Sequence, residues 1–307
     1  MKSQLAIIIP AFKSDFLDSA LKSLELQTCK EFHVYIGIDA SPFDLESIIQ
    51  KYEKTIPLTV KRFDDNLGGI DLVAHWERCI SMTNGEPWLW LFSDDDIIGS
   101  KCVESFYKEI AGQQLYDIYH FDVNVIDGGG KNIEIPKKYP VVLESKDFYK
   151  AKCRGKIESF VVENIFSRSI YEKINGFVKF DLAWGSDTAT WAAMANEKGI
   201  KTISGDLIYW RRSEKNITPN VNMAILQRKL NANIEMLDWA NKFYGKPIEA
   251  FNHYAFFLMC FFYLGLLKKD YFISVLDNSV KKEIISKIEM IAFKMFFPFL
   301  RIVRRLV

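Results

Sequence analysis

The first hundred residues alternate short apolar runs with stretches of helical periodicity, and nothing else in the chain constrains its fold as strongly. Leu5–Ile9 is an unbroken apolar, β-branched run of the kind found in strands buried on both faces. Ser14 is placed to cap a helix in which Phe16, Leu17, Ala20, Leu21 and Leu24 recur on one face. Phe32–Ile38 is a second strand closed by Asp39-Ala40-Ser41-Pro42, followed by a helix over Asp44–Tyr52 and a third strand over Leu58–Arg62. Gly68-Gly69 opens a helix through Ala74, Trp76 and Ile80, and Pro87–Phe92 is a fourth strand that runs straight into Ser93-Asp94-Asp95-Asp96. Strands separated in this way by helices imply βαβ units and a mostly parallel α/β sheet. In such sheets ligands sit beyond the carboxyl ends of the strands. Asp39, Asn66 and Asp94–Asp96 stand at or beyond strand ends.

Further along, Tyr116–Ser167 reads as strands and loops with a turn at Gly128. A short helix over Ser169–Ile174 ends at Asn175-Gly176; another runs from about Ser186 to Gly199, and Thr202–Trp210 is a last strand. Beyond Asn220 the pattern is helical. We therefore expect a catalytic domain over residues 1–220 and a helical region over 221–307, with a soft boundary at 218–222. A chain of 307 residues with 49% hydrophobic content can bury such a core. Forty Lys and Arg against 39 Asp and Glu leave no global field to attract nucleic acid. Cys29, Cys79, Cys102, Cys153 and Cys260 are scattered, with no CxxC pair, which argues against a disulfide framework or a zinc site and fits a reducing cytoplasm. The N-terminal apolar run is too short for a signal peptide. Ala255–Leu267, the longest apolar stretch, is shorter than the about 20 residues a membrane span needs.

The acidic triplet is the strongest local signal. Adjacent carboxylates repel, and burying them unpaired is costly. Mn²⁺ or Mg²⁺, which takes a few carboxylates together with phosphate oxygens, would relieve the conflict. A solvated acidic turn at a helix start is the plain alternative. The position at the end of a fourth strand favours function.

Four segments in order resemble the successive motifs of family-2 glycosyltransferases with the GT-A fold: IIIPAF at 7–12, GIDASPFD at 37–44, DNLGG at 65–69 and NGEPWLWLFSDDDII at 84–98. The resemblance covers about residues 4–110 well and extends more loosely to about 215. It implies that Pro10, Ala11 and Phe12 line the nucleotide pocket and that Asp39 accepts a hydrogen bond from the base. It also implies that Asn66 and Gly68 shape the neighbouring loop. By the same resemblance Asp94 and Asp95 would lie at the ribose and metal, with Asp96 the direct metal ligand. For Asp39 an Asx-turn at a strand end is the other reading.

Asn175–Asp187 resembles the family's later segment, in which an acid opening a helix is the general base. Asp187 is the candidate here, although Gly185-Ser186-Asp187 stands where the family usually has a Glu-Asp pair; Asp181 is the rival, and a plain helix cap is the other reading of Asp187. Relatives often place a metal-binding histidine where this chain has Arg211-Arg212; arginine cannot ligate a cation but can clamp a diphosphate. Trp184 and Trp191 could stack on a sugar, with core packing the stronger reading for Trp191. His33, His75, His120 and His253 show no metal spacing.

Residues 281–307 hold seven Lys or Arg and two acids, so the tail carries +5 and the remainder about −4. Its basic, aromatic-rich helix over 283–307 suits an anionic membrane surface, and packing on a partner helix or in a homodimer suits it nearly as well. The reading as a whole is a metal-dependent inverting transferase. It moves a sugar from a nucleotide-sugar donor, UDP-linked for preference, to a glycan or lipid-linked glycan acceptor in surface polysaccharide synthesis. The enzyme would be cytoplasmic, peripheral on the cytoplasmic face of the membrane. A sugar-nucleotide nucleotidyltransferase would want a glycine-rich basic signature after the first strand, and AFKSDF at 11–16 lacks one. A binding module that has lost its base is the third reading, and a dinucleotide dehydrogenase fails for want of GxGxxG.

Overall fold

Apolar, β-branched runs at the chain's start become the centre of a sheet. In a computed structural model, which describes residues 4–112, 115–213, 222–263 and 269–306, β1 (Leu5–Ala11) is buried along almost its whole length. The chain continues through α1 (Leu17–Glu25), β2 (Phe32–Asp39), α2 (Glu46–Ile49), β3 (Leu58–Phe63), α3 (Leu72–Ile80) and β4 (Trp88–Leu91). Strands β1, β2, β3 and β4 pair in parallel, β1 lying between β2 and β4. These are the four strands that the sequence pattern predicts. Two local expectations shift. Ser14 is not the cap of α1, whose N-cap position is held by Phe16 with no side-chain cap bond. The cap of α3 is Asp71, whose carboxylate accepts from the Ala74 amide, so Gly68-Gly69 belongs to the preceding turn.

Then come β5 (Ile97–Ile98), α4 (Cys102–Ile110), β6 (Ile118–Ile126), β7 (Asn132–Glu134), β8 (Val142–Leu143), α5 (Ser145–Cys153), β9 (Asn164–Ser167), α6 (Arg168–Lys173), α7 (Ser186–Met194) and β10 (Ile200–Arg211). The sheet order is β3-β2-β1-β4-β9-β6-β10-β5, with β7 beside β6 and β8 beside β10. β9 runs antiparallel to both β4 and β6, so the second half of the sheet is mixed. Among the described residues, ten strands flanked by helices make the α/β sheet of the GT-A type that the motifs imply. Trp90 anchors the centre: it is fully buried, stacks on Phe121 at 5.6 Å and donates its indole N–H to the Val162 carbonyl at 2.7 Å. Burying a ring of this size contributes about 2–3 kcal/mol before any hydrogen bond. Trp191 is likewise completely buried, packed on Phe166 and Phe177, which makes it a core residue.

The helical region comprises α8 (Met223–Tyr244), α9 (Lys246–Tyr263), α10 (Lys269–Lys281) and α11 (Lys287–Leu306). By their contacts the described residues divide into two units, Met1–Lys179 with Thr190–Asn216, and Phe180–Ala189 with Ile217–Val307. The division passes through α7. The anticipated boundary at 218–222 falls almost wholly among residues outside the description, as do the end of the Ala255–Leu267 run and the side chains at 301–307. Among the described residues no helix is long and apolar enough to cross a membrane.

Candidate functional site

Three loops of the first unit meet where β1, β2 and β4 end. β1 delivers Phe12 and Lys13, whose backbone amides both donate to Asp94 Oδ2 at 2.8 Å. The main chain after the first strand is thereby stapled to the acidic triplet, 82 and 81 residues away in sequence. Ser41, beyond β2, donates its hydroxyl to the Phe12 carbonyl at 2.6 Å. Pro10 and Phe12 are half-buried and Ala11 is fully buried, so the IIIPAF segment forms the floor of this corner.

Asp39 closes β2 with its carboxylate already engaged. Oδ1 accepts from the Leu67 amide at 2.9 Å and Oδ2 from the Gly68 amide at 2.8 Å. Arg78 on α3 also donates to Oδ1, and His75 Nδ1 lies 3.5 Å away. This explains the glycine: a Cβ at Gly68 would lie 2.6 Å from Asp39 Oδ2. Asn66 folds its own loop by accepting the Gly69 amide at 2.8 Å. Burial pushes the His75 imidazole down to about 4, against the pull of Asp39, so it is neutral at pH 7.

The triplet itself is short of positive charge. Asp94, Asp95 and Asp96 are each at most 4% exposed. Burial, reinforced by the charge of Asp95, pushes the Asp94 carboxyl up to about 6, although Lys13 and the two amides work the other way. Burial also raises Asp96 well above the usual carboxylate range, again with Asp95 adding to it. Asp96 Oδ1 accepts the Arg211 amide at 2.7 Å, while Oδ2 is buried with no hydrogen-bond partner among the described residues. Asp95 accepts from Ser93 at 2.5 Å and pairs with the Lys13 ammonium at 2.6 Å. For Lys13 burial pulls downward, but Asp95 and Asp94 outweigh it and its pKa is raised.

No group of three or more His, Cys, Asp or Glu side chains among the described residues is arranged to hold a metal. The chemistry on hand fits a cation bound chiefly through a ligand's phosphates. One orphaned carboxylate oxygen and two carboxyls raised by burial and by the charge of Asp95 are relieved by an added positive charge, and Mg²⁺ or Mn²⁺ is commonly bound by one or two carboxylates plus phosphate. Arg211 is the strut of this corner. It is 3% exposed, donates Nε to the Asp95 carbonyl at 2.8 Å and Nη1 to the Asp127 carbonyl at 2.9 Å, and stacks over the Phe16 ring at 4.4 Å. Arg212 is half-exposed and pairs with Glu134 instead.

The segment around Asp187 is built in the second unit. Leu182 and Ala183 both adopt left-handed backbone angles, φ 57° and 54°, which cost about 1 kcal/mol or more each in non-glycine residues. Residues of α8 hold them there. Arg228 forms a forked pair with Asp181 at 2.6 and 2.8 Å, Asn233 accepts the Trp184 indole N–H at 3.2 Å, and Lys229 lies 4.5 Å over the Trp184 ring. Gly185 has φ 83°, and a Cβ there would stand 2.9 Å from Met236 Sδ. The glycine thus follows from backbone and packing together. Ser186, fully buried, accepts the Phe180 amide at 2.9 Å, and half-buried Asp187 accepts the Thr188 amide at 2.7 Å. The hydrogen bonds from Arg228 hold Asp181 below the usual carboxylate range.

Several participants escape sequence reasoning. Lys13, Ser41 and Arg78 act on partners 29 to 82 residues away, and only Lys13, adjacent to the PAF motif, carries a usable signal as a cation next to an acid-rich site. Glu77 does for the Asn175-Gly176 turn what Asp39 does for Gly68. Its Oε1 accepts the Phe177 amide at 2.6 Å, and a Cβ at Gly176 would lie 2.7 Å from the same oxygen.

The comparisons with known proteins agree with this architecture. The family described as Glycosyl transferase family 2 matches residues 6–174, more than half the chain. A comparison with curated proteins gives no match. Among solved structures, S. aureus TarS 1–349 in complex with UDP-GlcNAc is 14% identical with a TM-score of 0.65, covering 98% of this chain and 87% of that one. The mannosyltransferase PcManGT from Pyrobaculum calidifontis, in complex with GDP-Man and Mn²⁺, is 12% identical with a TM-score of 0.52, covering 79% and 65%. Likeness at such identity speaks for the fold, and the family match speaks for the chemistry. The chain belongs to glycosyl transferase family 2 and is a glycosyltransferase.

Proposed function

We propose that the chain transfers a sugar, with inversion, from a nucleoside diphosphate sugar to a hydroxyl of a glycan or lipid-linked glycan, with Mn²⁺ or Mg²⁺ as cofactor. The observation that carries this reading is the buried Asp96 Oδ2, without a hydrogen-bond partner among the described residues, in a cluster of three buried carboxylates beside the ammonium of Lys13. Asp96, helped by Asp94, would hold the cation. When bound, the cation supplies charge to the departing diphosphate. Phe12 and Lys13 hold Asp94 in place through their amides, and Arg211 holds the Asp95 carbonyl through its guanidinium and the Asp96 carboxylate through its backbone amide. Pro10, Ala11, Asp39, Asn66 and Gly68 shape the nucleotide's surroundings, Asp39 by fixing the 65–69 loop that would border the base. A uridine diphosphate donor is favoured because TarS 1–349 was solved with UDP-GlcNAc.

Asp187 takes the proton from the attacking hydroxyl at its carboxylate. Asp181 is the weaker candidate because Arg228 holds its carboxyl down, which lowers its basicity. The test is a donor screen with Mn²⁺ and Mg²⁺ that reads nucleotide release from wild type, Asp96→Ala and Asp187→Ala. Release by both variants as fast as wild type would reject the assignment.

The acceptor would be presented at an anionic membrane surface, in surface polysaccharide synthesis on the cytoplasmic face. In support, α11 packs inward through Phe293, which meets Phe256 at 5.6 Å, and through Lys294, which lies 3.4 Å from Asp277. Ile288, Ile291, Met295, Phe296 and Phe299 are left 55–80% exposed along one face. Such a stripe, in a tail rich in Lys and Arg, matches a lipid interface. Sedimentation with phosphatidylserine vesicles should be lost in Ile291→Asp/Met295→Asp. Binding that persists in the variant, or self-association of wild type that the variant abolishes, would favour a dimer or another partner.

A further inference from the structure

We propose that Lys13 is the resident counter-ion of the acidic triplet and that it makes binding of the divalent cation depend on binding of the diphosphate. The inference rests on the donor-and-cation reading above. Lys13 is built for exchange. Its main chain is pinned, because its amide and that of Phe12 donate to Asp94 Oδ2 at 2.8 Å. Its ammonium reaches Asp95 Oδ2 at 2.6 Å, with the side chain 26% exposed against 5% for Asp95. A lysine is a compact charge on a flexible stem with three donors, so the head can pivot to a new acceptor while the backbone stays fixed.

The pairing sets up a competition. Without nucleotide, the Lys13 ammonium already sits on the middle carboxylate of the triplet, and a divalent cation entering beside it meets a like charge in a buried site. A diphosphate offers the ammonium other oxygens. Once Lys13 turns to them, Asp95 loses its cation, and Asp96 Oδ2, which has no hydrogen-bond partner among the described residues, faces less positive charge nearby. Cation and diphosphate then bind together more tightly than either binds alone. By linkage the effect is reciprocal, and the diphosphate gains from the cation the same factor.

Isothermal titration of Mn²⁺ into the full chain, with and without saturating UDP, tests the inference on wild type, Lys13→Met and Lys13→Arg, with circular dichroism to verify folding. Wild type should bind Mn²⁺ weakly alone and more tightly with UDP. Lys13→Met should bind Mn²⁺ alone about tenfold more tightly than wild type, and its gain from UDP should shrink by a similar factor. Lys13→Arg, which keeps the charge, should retain most of the wild-type gain. An unchanged gain in Lys13→Met overturns the proposal and leaves the donor-and-cation reading standing. Failure of wild type to bind Mn²⁺ even with UDP overturns both. If Lys13→Met misfolds, Lys13→Gln replaces it under the same criteria.

Discussion

The loops around the triplet and the segment before Asp187 are both over-determined, but by opposite electrostatics. In the first, three buried carboxylates share one lysine and a set of backbone amides, and one oxygen has no partner among the described residues. In the second, the acid Asp181 is fully matched by Arg228, and a second cation, Lys229, lies over Trp184. A region short of cations is prepared to receive one. A region whose charges are balanced, and whose cost is stored in left-handed backbone at Leu182 and Ala183, is prepared to hold a geometry. On the proposed function, the first region binds charge and the second positions a base.

The largest expected effect would break the contrast outright. Asp96→Ala should lower transfer by about a thousandfold or more, since metal stabilisation of the leaving group is worth several kcal/mol. EDTA should do the same to wild type. Asp187→Asn should lower turnover by about 10²–10⁴-fold while UDP affinity, read by titration, stays as in wild type. Asp181→Asn should remain within about tenfold of wild type; the reverse order of the two would move the base to Asp181.

Packing gives the next effect. Gly185→Ala should cost about 1–2 kcal/mol from the left-handed backbone and the Met236 contact, seen as a melting point a few degrees lower. The remaining effect is electrostatic and lies outside both regions. His120 is completely buried and stacks on Tyr139 at 3.9 Å, and burial pushes its imidazole down to about 3. The unfolded chain takes up its proton below about 6.5 while the folded chain does not. The stabilisation is therefore present above pH 6.5 and is lost as pH falls toward 3. His120→Gln should flatten the acid loss of stability by up to about 1.4 kcal/mol per pH unit, leaving the part due to His75. An unchanged slope would mean that His120 does not stay neutral on folding.

The two regions also differ in how far the sequence reveals them. β1, β2, β3 and β4 were legible because buried parallel strands write uninterrupted apolar runs, and the acidic triplet was legible because it follows one of them. The helix α5 was not anticipated because only Phe148 and Tyr149 mark its buried face beside Ser145, and β5, β7 and β8 are too short to show a period. Lys13, Arg78 and Glu77 look like ordinary surface charges until folding brings them to partners up to 100 residues away. Part of the reason for Gly185 lies outside its neighbourhood, in Met236. Motif patterns report what a segment does for itself; they do not report what a distant helix does to hold it.

The central claim is that the triplet receives a divalent cation together with a diphosphate. Anomalous scattering from crystals soaked with UDP and Mn²⁺ tests it most directly. The account predicts a manganese peak within bonding distance of Asp96, bridged to the diphosphate oxygens. Well-ordered UDP with no manganese peak at Asp96 would contradict it.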